Sequence, residues 1–274
     1  MRRYLPTLLA LAALACQPDP PPLEGACLEP WPQHEGLRLA GSGSNLPLAR
    51  ALLQRFHQSD PWLAESIGTT GAVRALRDGA IDVGLASRPL RPDEQHPDLL
   101  LTPLASTPVV FVGNGLRSPE GLRRDELVAL YEGHVKRWAD GRPVILLARE
   151  PGDSGLDVFK GRDPALAAAI ERARHEGRAL VQTTDQEMER ALLTIPGALG
   201  YADLGLLRLG AAPLWPLPLD GASPLHAPSS YPFHKELAVI TRAQPSPEVA
   251  RWLAFLQSPE ARDVLSTSGY APPR

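Results

Sequence analysis

The sequence predicts an α/β protein of two lobes, on three observations. Strand-like apolar runs alternate with helical patterns from Leu37 onward, the alternation falls into two successive blocks, and the apolar runs Val109–Val112 and Leu237–Thr241 flank the second block. Such alternation implies βαβ units around a mostly parallel sheet. At 274 residues, 43% hydrophobic and with only 2 cysteines, the chain can bury a sizeable core, which excludes a small disulfide-stapled scaffold. Its net charge is −3 and no run of Lys or Arg exceeds two. That is not the footprint selected by phosphate backbones, so nucleic acid is not an expected partner.

The N-terminus reads as a targeting segment. Arg2 and Arg3 precede an apolar stretch from Tyr4 to Ala15, too short to span a bilayer as a helix, and then comes Cys16. Ala13-Leu14-Ala15-Cys16 resembles a bacterial lipobox, although the lipobox prefers Leu where Ala13 stands and a small residue where Leu14 stands. The expectation is a signal at 1–15, an acyl anchor on Cys16 and function outside the cytoplasm; an ordinary secretory signal with an incidental cysteine is the alternative. Residues 16–35 read as a tether, rich in prolines that favour extended structure. Cys27 within it is either a free or intermolecularly paired thiol or an incidental linker cysteine.

The elements then follow in order. Leu37–Ala40 is a strand, Pro47–His57 a helix, Ala64–Ile67 a strand, Ala72–Arg77 a helix, Ile81–Ala86 a strand and Val109–Val112 a buried strand. The second block has helices near Arg124–Tyr131, after Ser154, near Ala165–His175 and near Gln186–Leu193, with strands at Val144–Ala148 and Leu199–Tyr201. Beyond the proline-rich stretch Pro213–Pro232 lie a strand, Leu237–Thr241, and a helix, Glu248–Leu256. The expected division is 36–112 with 235–274 as one lobe and 113–234 as the other. The chain then crosses twice between lobes, and the cleft closes by hinge bending.

Three segments share one grammar of strand, short Gly/Ser/Thr loop and helix: Gly41-Ser42-Gly43-Ser44-Asn45, Gly68-Thr69-Thr70-Gly71 and Gly152-Asp153-Ser154-Gly155. A helix N-terminus presents unpaired N–H groups, glycine permits close approach, and hydroxyls donate, so each loop is either an anion cradle or a plain cap. Arg88 and Arg149 follow strands directly, where ligands bind in open α/β sheets. Surface ion pairing is the alternative for both arginines.

With these motifs in order, the chain resembles the periplasmic phosphate-binding proteins that feed ABC-type uptake systems, of the type II solute-binding fold. The likeness rests also on Ile81 to Leu90, Leu127 to Gly133 with Trp138, Pro196 to Tyr201 and Tyr231-Pro232-Phe233. It implies a cleft between lobes that takes phosphate or a similar oxyanion, ABC permease subunits as partners, and a monomer without cofactor, metal or catalytic residues. It further implies that Ser44, Asn45 and the Leu46 N–H hold the anion with Thr69, Ser87 and Arg88 on one side, and Arg149, Ser154 and Gly155 on the other. The chain departs from the pattern at Asn45, where a hydroxyl is usual, at Ser87, where Asp is usual, and in an Arg149 loop one residue longer, with Leu156 in place of Thr. A protonated oxyanion needs an acceptor, for which Asp153 is the nearest candidate, unless it only caps the helix at Leu156.

Other functions fit less well. Gly152-Asp153-Ser154-Gly155 also resembles the nucleophile segment of trypsin-like proteases, but Leu156 replaces the second glycine and the alternation of strand and helix is wrong for that fold. No histidine pair has metal-ligand spacing and no Walker-type loop is present. The remaining alternative is an anion-responsive sensor or partner-binding protein on the same fold.

Overall fold

The computed structural model describes residues 36–56, 60–116, 118–210 and 213–273. Cys16, Cys27, the targeting segment and the tether lie outside the described residues, as does His57 at the expected end of the first helix. No helix among the described residues is long and apolar enough to cross a membrane.

The strands are β1 (Arg38–Gly41), β2 (Trp62–Ser66), β3 (Val83–Ala86), β4 (Leu99–Gly113), β5 (Ile145–Arg149), β6 (Ala179–Gln182), β7 (Ala198–Asp203) and β8 (His234–Arg242). They lie in the order β2-β1-β3-β8-β4-β7-β5-β6. The two wings are parallel: β1 pairs with β2 and β3, and β5 with β6 and β7. The centre is antiparallel, because β8 runs against both β3 and β4, and β4 runs against β7. The mostly parallel sheet expected from the alternation therefore holds for the wings alone.

The helices are α1 (Leu46–Arg55), α2 (Gly68–Arg77), α3 (Arg124–Tyr131), α4 (Ser154–Arg162), α5 (Pro164–His175), α6 (Asp185–Thr194), α7 (Leu204–Leu209), α8 (Pro247–Leu256) and α9 (Pro259–Thr267). Helices cover both faces of the first wing, which is why its central strand β3 is apolar throughout rather than alternating. Leu39, Leu85 and Val239 pack in one apolar cluster with Trp252 and Leu265, whereas Ala40, Ala86 and Ile240 pack in another with Val73 and Leu76. A third cluster takes the second block, from Val109 to Phe233.

Strand β4 connects the wings. Leu99 to Pro108 pair with β8, and Val109 to Gly113 pair with β7. Its prolines, which have no N–H to donate, fall where the ladder is irregular: Pro103 at a register shift and Pro108 where the strand changes partner. Phe159 anchors α4 beneath the cleft. It stacks on Phe111 at 5.2 Å and meets Tyr201 and Phe233 edge-on at 5.0 and 4.8 Å. Aromatic contacts of this kind contribute about 0.5–1.5 kcal/mol each beyond burial, and here they fix where the helix N-terminus points.

Candidate functional site

The carboxyl ends of β1, β2, β3, β5 and β6 meet around a cavity of about 490 Å³. Its walls come from Ser42 and Gly43 after β1, the start of α2 with Thr69 and Thr70, Ser87, Arg88 and Arg91 after β3, Arg149 to Ser154 after β5, and Thr183 to Asp185 after β6. Helices α2, α4 and α6 are separated by one, four and two residues from the ends of β2, β5 and β6, and the first residue of each lines this space at its N-terminal dipole.

Three hydroxyls from three elements form a chain across this cavity. Ser42 Oγ lies 2.7 Å from Ser87 Oγ, which lies 2.9 Å from Ser154 Oγ. Ser87 N–H donates to Thr69 Oγ1 at 3.3 Å. A hydroxyl donates and accepts, so this chain can turn its protons toward an anion without any residue changing charge.

Arg149 is buried behind these hydroxyls at 7% exposure. Its Nε donates to Asp153 Oδ2 at 3.2 Å, its Nη1 donates to the Gln182 carbonyl at 3.3 Å, and its Nη2 lies 3.9 Å from Asp185 Oδ2. Burial pulls the guanidinium pKa down, but Asp185 and Asp153 outweigh it and leave it raised. Asp153 caps α4: Oδ1 accepts from Leu156 N–H at 3.0 Å and from Tyr201 Oη at 3.4 Å. Both of its oxygens are thus engaged within the protein, and of the two roles left open by the sequence the structure displays the cap.

Four sequence-predicted residues do not line the cavity. The loop after β1 closes into a 3₁₀ turn, Gly43–Asn45, which carries Ser44 and Asn45 beneath the cleft instead of into it. Ser44 Oγ accepts from Lys235 Nζ at 3.0 Å, and Asn45 Nδ2 donates to the carbonyls of Ala86 at 2.7 Å and Ala238 at 3.1 Å. Leu46 is buried in an apolar cluster. Gly155 packs on the Tyr201 ring, where an added Cβ would lie 3.1 Å from Cε2. Ser42 and Gly43 stand on the wall in place of their neighbours. Thr69, Ser87, Arg88, Arg149, Asp153 and Ser154 do line it.

Arg88 is gripped by its own loop. Nη1 and Nη2 donate to the two carboxylate oxygens of Glu94 at 2.6 and 2.7 Å, and Nη2 donates to Thr70 Oγ1 at 2.9 Å. The Arg88 hydrogen bonds, and then those from Arg91 N–H and Thr70, hold the Glu94 carboxyl at about 2.

The sequence reading passed over Glu94, Asp185, Asp203 and Lys235. Asp185 lines the cavity at the start of α6 and approaches the facing loop closely, since a Cβ on Gly43 would lie 2.6 Å from its Oδ2. Burial raises its pKa, and Asp203 and Asp153 add to that against Arg149 and Lys235. Two signals pointed here. Thr184 and Glu187 form a capping box, whose Thr-x-x-Glu spacing is readable. Lys235 falls between Phe233 and Leu237 at period two, which places it on the buried face of β8.

The family model for the PBP superfamily domain matches residues 29–260. A phosphate-binding protein, PstS 2, of Streptococcus agalactiae is 26% identical over 106 residues, covering 37% of this chain and 36% of that protein. The match thus spans only about a third of the relative's length. Among solved structures, a Clostridium perfringens protein described as a phosphate ABC transporter substrate-binding protein with bound phosphate superposes with a TM-score of 0.70. It is 16% identical, over 87% of this chain and 100% of that one. An ABC-type phosphate transport receptor from Vibrio cholerae gives a TM-score of 0.57 at 18% identity, over 87% and 100%. At these identities the likeness is one of fold, a two-lobed α/β protein with a cleft at the strand ends.

Proposed function

The chain belongs to the PBP superfamily, and from that premise we propose that it captures a tetrahedral oxyanion, inorganic phosphate before others, outside the cytoplasm and passes it to an ABC-type permease. The observation that carries this reading is the chain of hydroxyls Ser42, Ser87 and Ser154 set against a buried arginine, Arg149, where helix N-termini converge. Neutral donors cancel anionic charge without titrating, while the Arg149 guanidinium, held at Nε and Nη1, leaves Nη2 for a charge-assisted bond. The site is one of binding, not of catalysis. In this role the protein acts as a monomer tethered through an acylated Cys16. The proposed lobes are 36–112 with 235–274, and 113–234; the apolar clusters divide near these bounds, at Pro108 and Phe233, with Val109–Val112 packed in the cluster of the second.

Titration calorimetry of the full chain with phosphate, arsenate, sulfate and molybdate tests the reading. Phosphate is expected to bind most tightly, and binding to none of the four overturns it. Fatty-acid labelling of the wild type and Cys16→Ser tests the anchor, and label that persists in the variant refutes it.

A further inference from the structure

Three cations in or beneath the cavity are already paired. Glu94 engages both terminal nitrogens of Arg88, Asp153 and Asp185 flank Arg149, and Asp203 lies 2.9 Å from Lys235 Nζ. With Asp185 ionised, these three cations face four carboxylates; with Asp185 protonated, the set is neutral. Neither state offers an incoming oxyanion a net positive charge, and Glu150 on the cavity wall adds a further negative one.

Arg91 differs from the others. It lines the same cavity, and among the described residues its guanidinium enters no salt bridge or side-chain hydrogen bond. Its backbone, in contrast, is pinned: the N–H donates to Glu94 Oε2 at 2.9 Å, and the carbonyl accepts from Glu94 N–H at 2.9 Å and Gln95 N–H at 3.1 Å. The side chain reaches over the loop that precedes α4, where a Cβ on Gly152 would lie 3.3 Å from Arg91 Nη2. Gly152 has φ +84°, so glycine is required there by the backbone, and the bare Cα leaves room for the guanidinium two residues from Ser154.

We propose that Arg91 is a further ligand-binding residue, a cation anchored on the loop after β3 that closes on the oxyanion against Gly152 and supplies the positive charge missing elsewhere in the site. The proposal rests on the oxyanion reading above. It assigns Arg88, the motif arginine, a structural task with Glu94, and moves the ligand-facing charge on that loop three residues along.

The test is calorimetric titration of phosphate into the full-length wild type, Arg91→Ala, Arg91→Lys and Arg91→Glu at low and high salt, with thermal unfolding of each unliganded protein. Arg91→Ala is expected to weaken binding about 10- to 100-fold, Arg91→Glu more, and Arg91→Lys less. The salt dependence of affinity should be shallower in Arg91→Ala than in the wild type, and the unliganded melting temperatures should coincide. Wild-type binding with Arg91→Ala and Arg91→Glu both within twofold overturns this inference alone, whereas a wild type that binds no oxyanion overturns the site reading with it.

Discussion

Lys235 Nζ on β8 lies 2.9 Å from Asp203 Oδ1 at the end of β7, and the same ammonium donates to Asp203 Oδ2 at 3.1 Å and to Ser44 Oγ at 3.0 Å. Both ionised side chains are almost wholly buried, at 3% and 1% exposure. Burial disfavours the ammonium, yet Asp203, Asp185 and Asp153 together leave the Lys235 pKa raised. One lysine thus joins the loop after β1 to the strand that ends at Asp203.

Removing one member of such a pair leaves a charge buried without compensation, and the cost is typically 3–5 kcal/mol. Lys235→Met is therefore expected to lower unfolding free energy by about 3 kcal/mol or more. Lys235→Met with Asp203→Leu should recover a large part of the loss. Urea unfolding of the two variants checks this, and a single variant as stable as wild type contradicts it.

Arg149→Lys tests the fork. A point ammonium cannot hold Asp153 at Nε, the Gln182 carbonyl at Nη1 and a ligand at Nη2 together. Phosphate affinity should fall by about 2 kcal/mol or more. Arg88→Lys should cost less affinity, because Glu94 and Thr70 already occupy that guanidinium. Calorimetry ranks the two, and an inverted order contradicts the assignment.

Asp185 should make binding depend on protons. Its pKa is raised by burial, so acidification protonates it readily and removes a negative charge that opposes an anion. Phosphate brings its own proton for a carboxylate to accept, whereas sulfate brings none at neutral pH. Sulfate binding is therefore expected to take up a proton from solution, a linkage that Asp185→Asn abolishes while tightening sulfate by about tenfold, or ~1.4 kcal/mol. Titrations in buffers of different ionisation enthalpy measure the uptake directly.

Glu94 should set part of the acid sensitivity. Its folded pKa of about 2 lies below the ordinary 4.5, so its contribution to stability is complete above pH 4.5 and is lost as pH falls toward 2. Glu94→Gln should lower stability at neutral pH and flatten its decline across that window. Denaturant midpoints between pH 2 and 6 resolve the difference.

Strands with apolar residues on both faces, such as Val83–Ala86 and Val109–Val112, were legible because burial on both sides writes an unbroken apolar run. Strand β6 was not, since Leu180 and Val181 are exposed at 49% and 45% on the edge of the sheet and its run is only four residues, although Gly177 marks the helix end before it. Helix α7 has only six residues, too few to display a period, whereas α9 carried a readable start in Ser258-Pro259 that was passed over. In the site, composition located the loops but not their orientation. Ser42 is still extended, whereas the 3₁₀ turn that starts at Gly43 turns Ser44 away, so Ser42 faces the cavity and Ser44 faces Lys235 within one glycine- and serine-rich segment. Ion-pair partners far along the chain, such as Asp203 for Lys235, leave no mark at all in local spacing.

The place of β8 in the sheet sets the order in which the molecule can be completed. This strand is last in sequence but lies between β3 and β4, pairing Gly84 with Ile240 and Leu99 with Arg242. A nascent chain that stops before His234 therefore holds two open strand edges with no partner in reach. Exposed edges invite pairing with other chains, and contacts of such long sequence separation form slowly. The first wing must wait for the synthesis of His234–Arg242, and until then the half-built sheet is the stage most open to aggregation, to proteolysis and to capture by a chaperone.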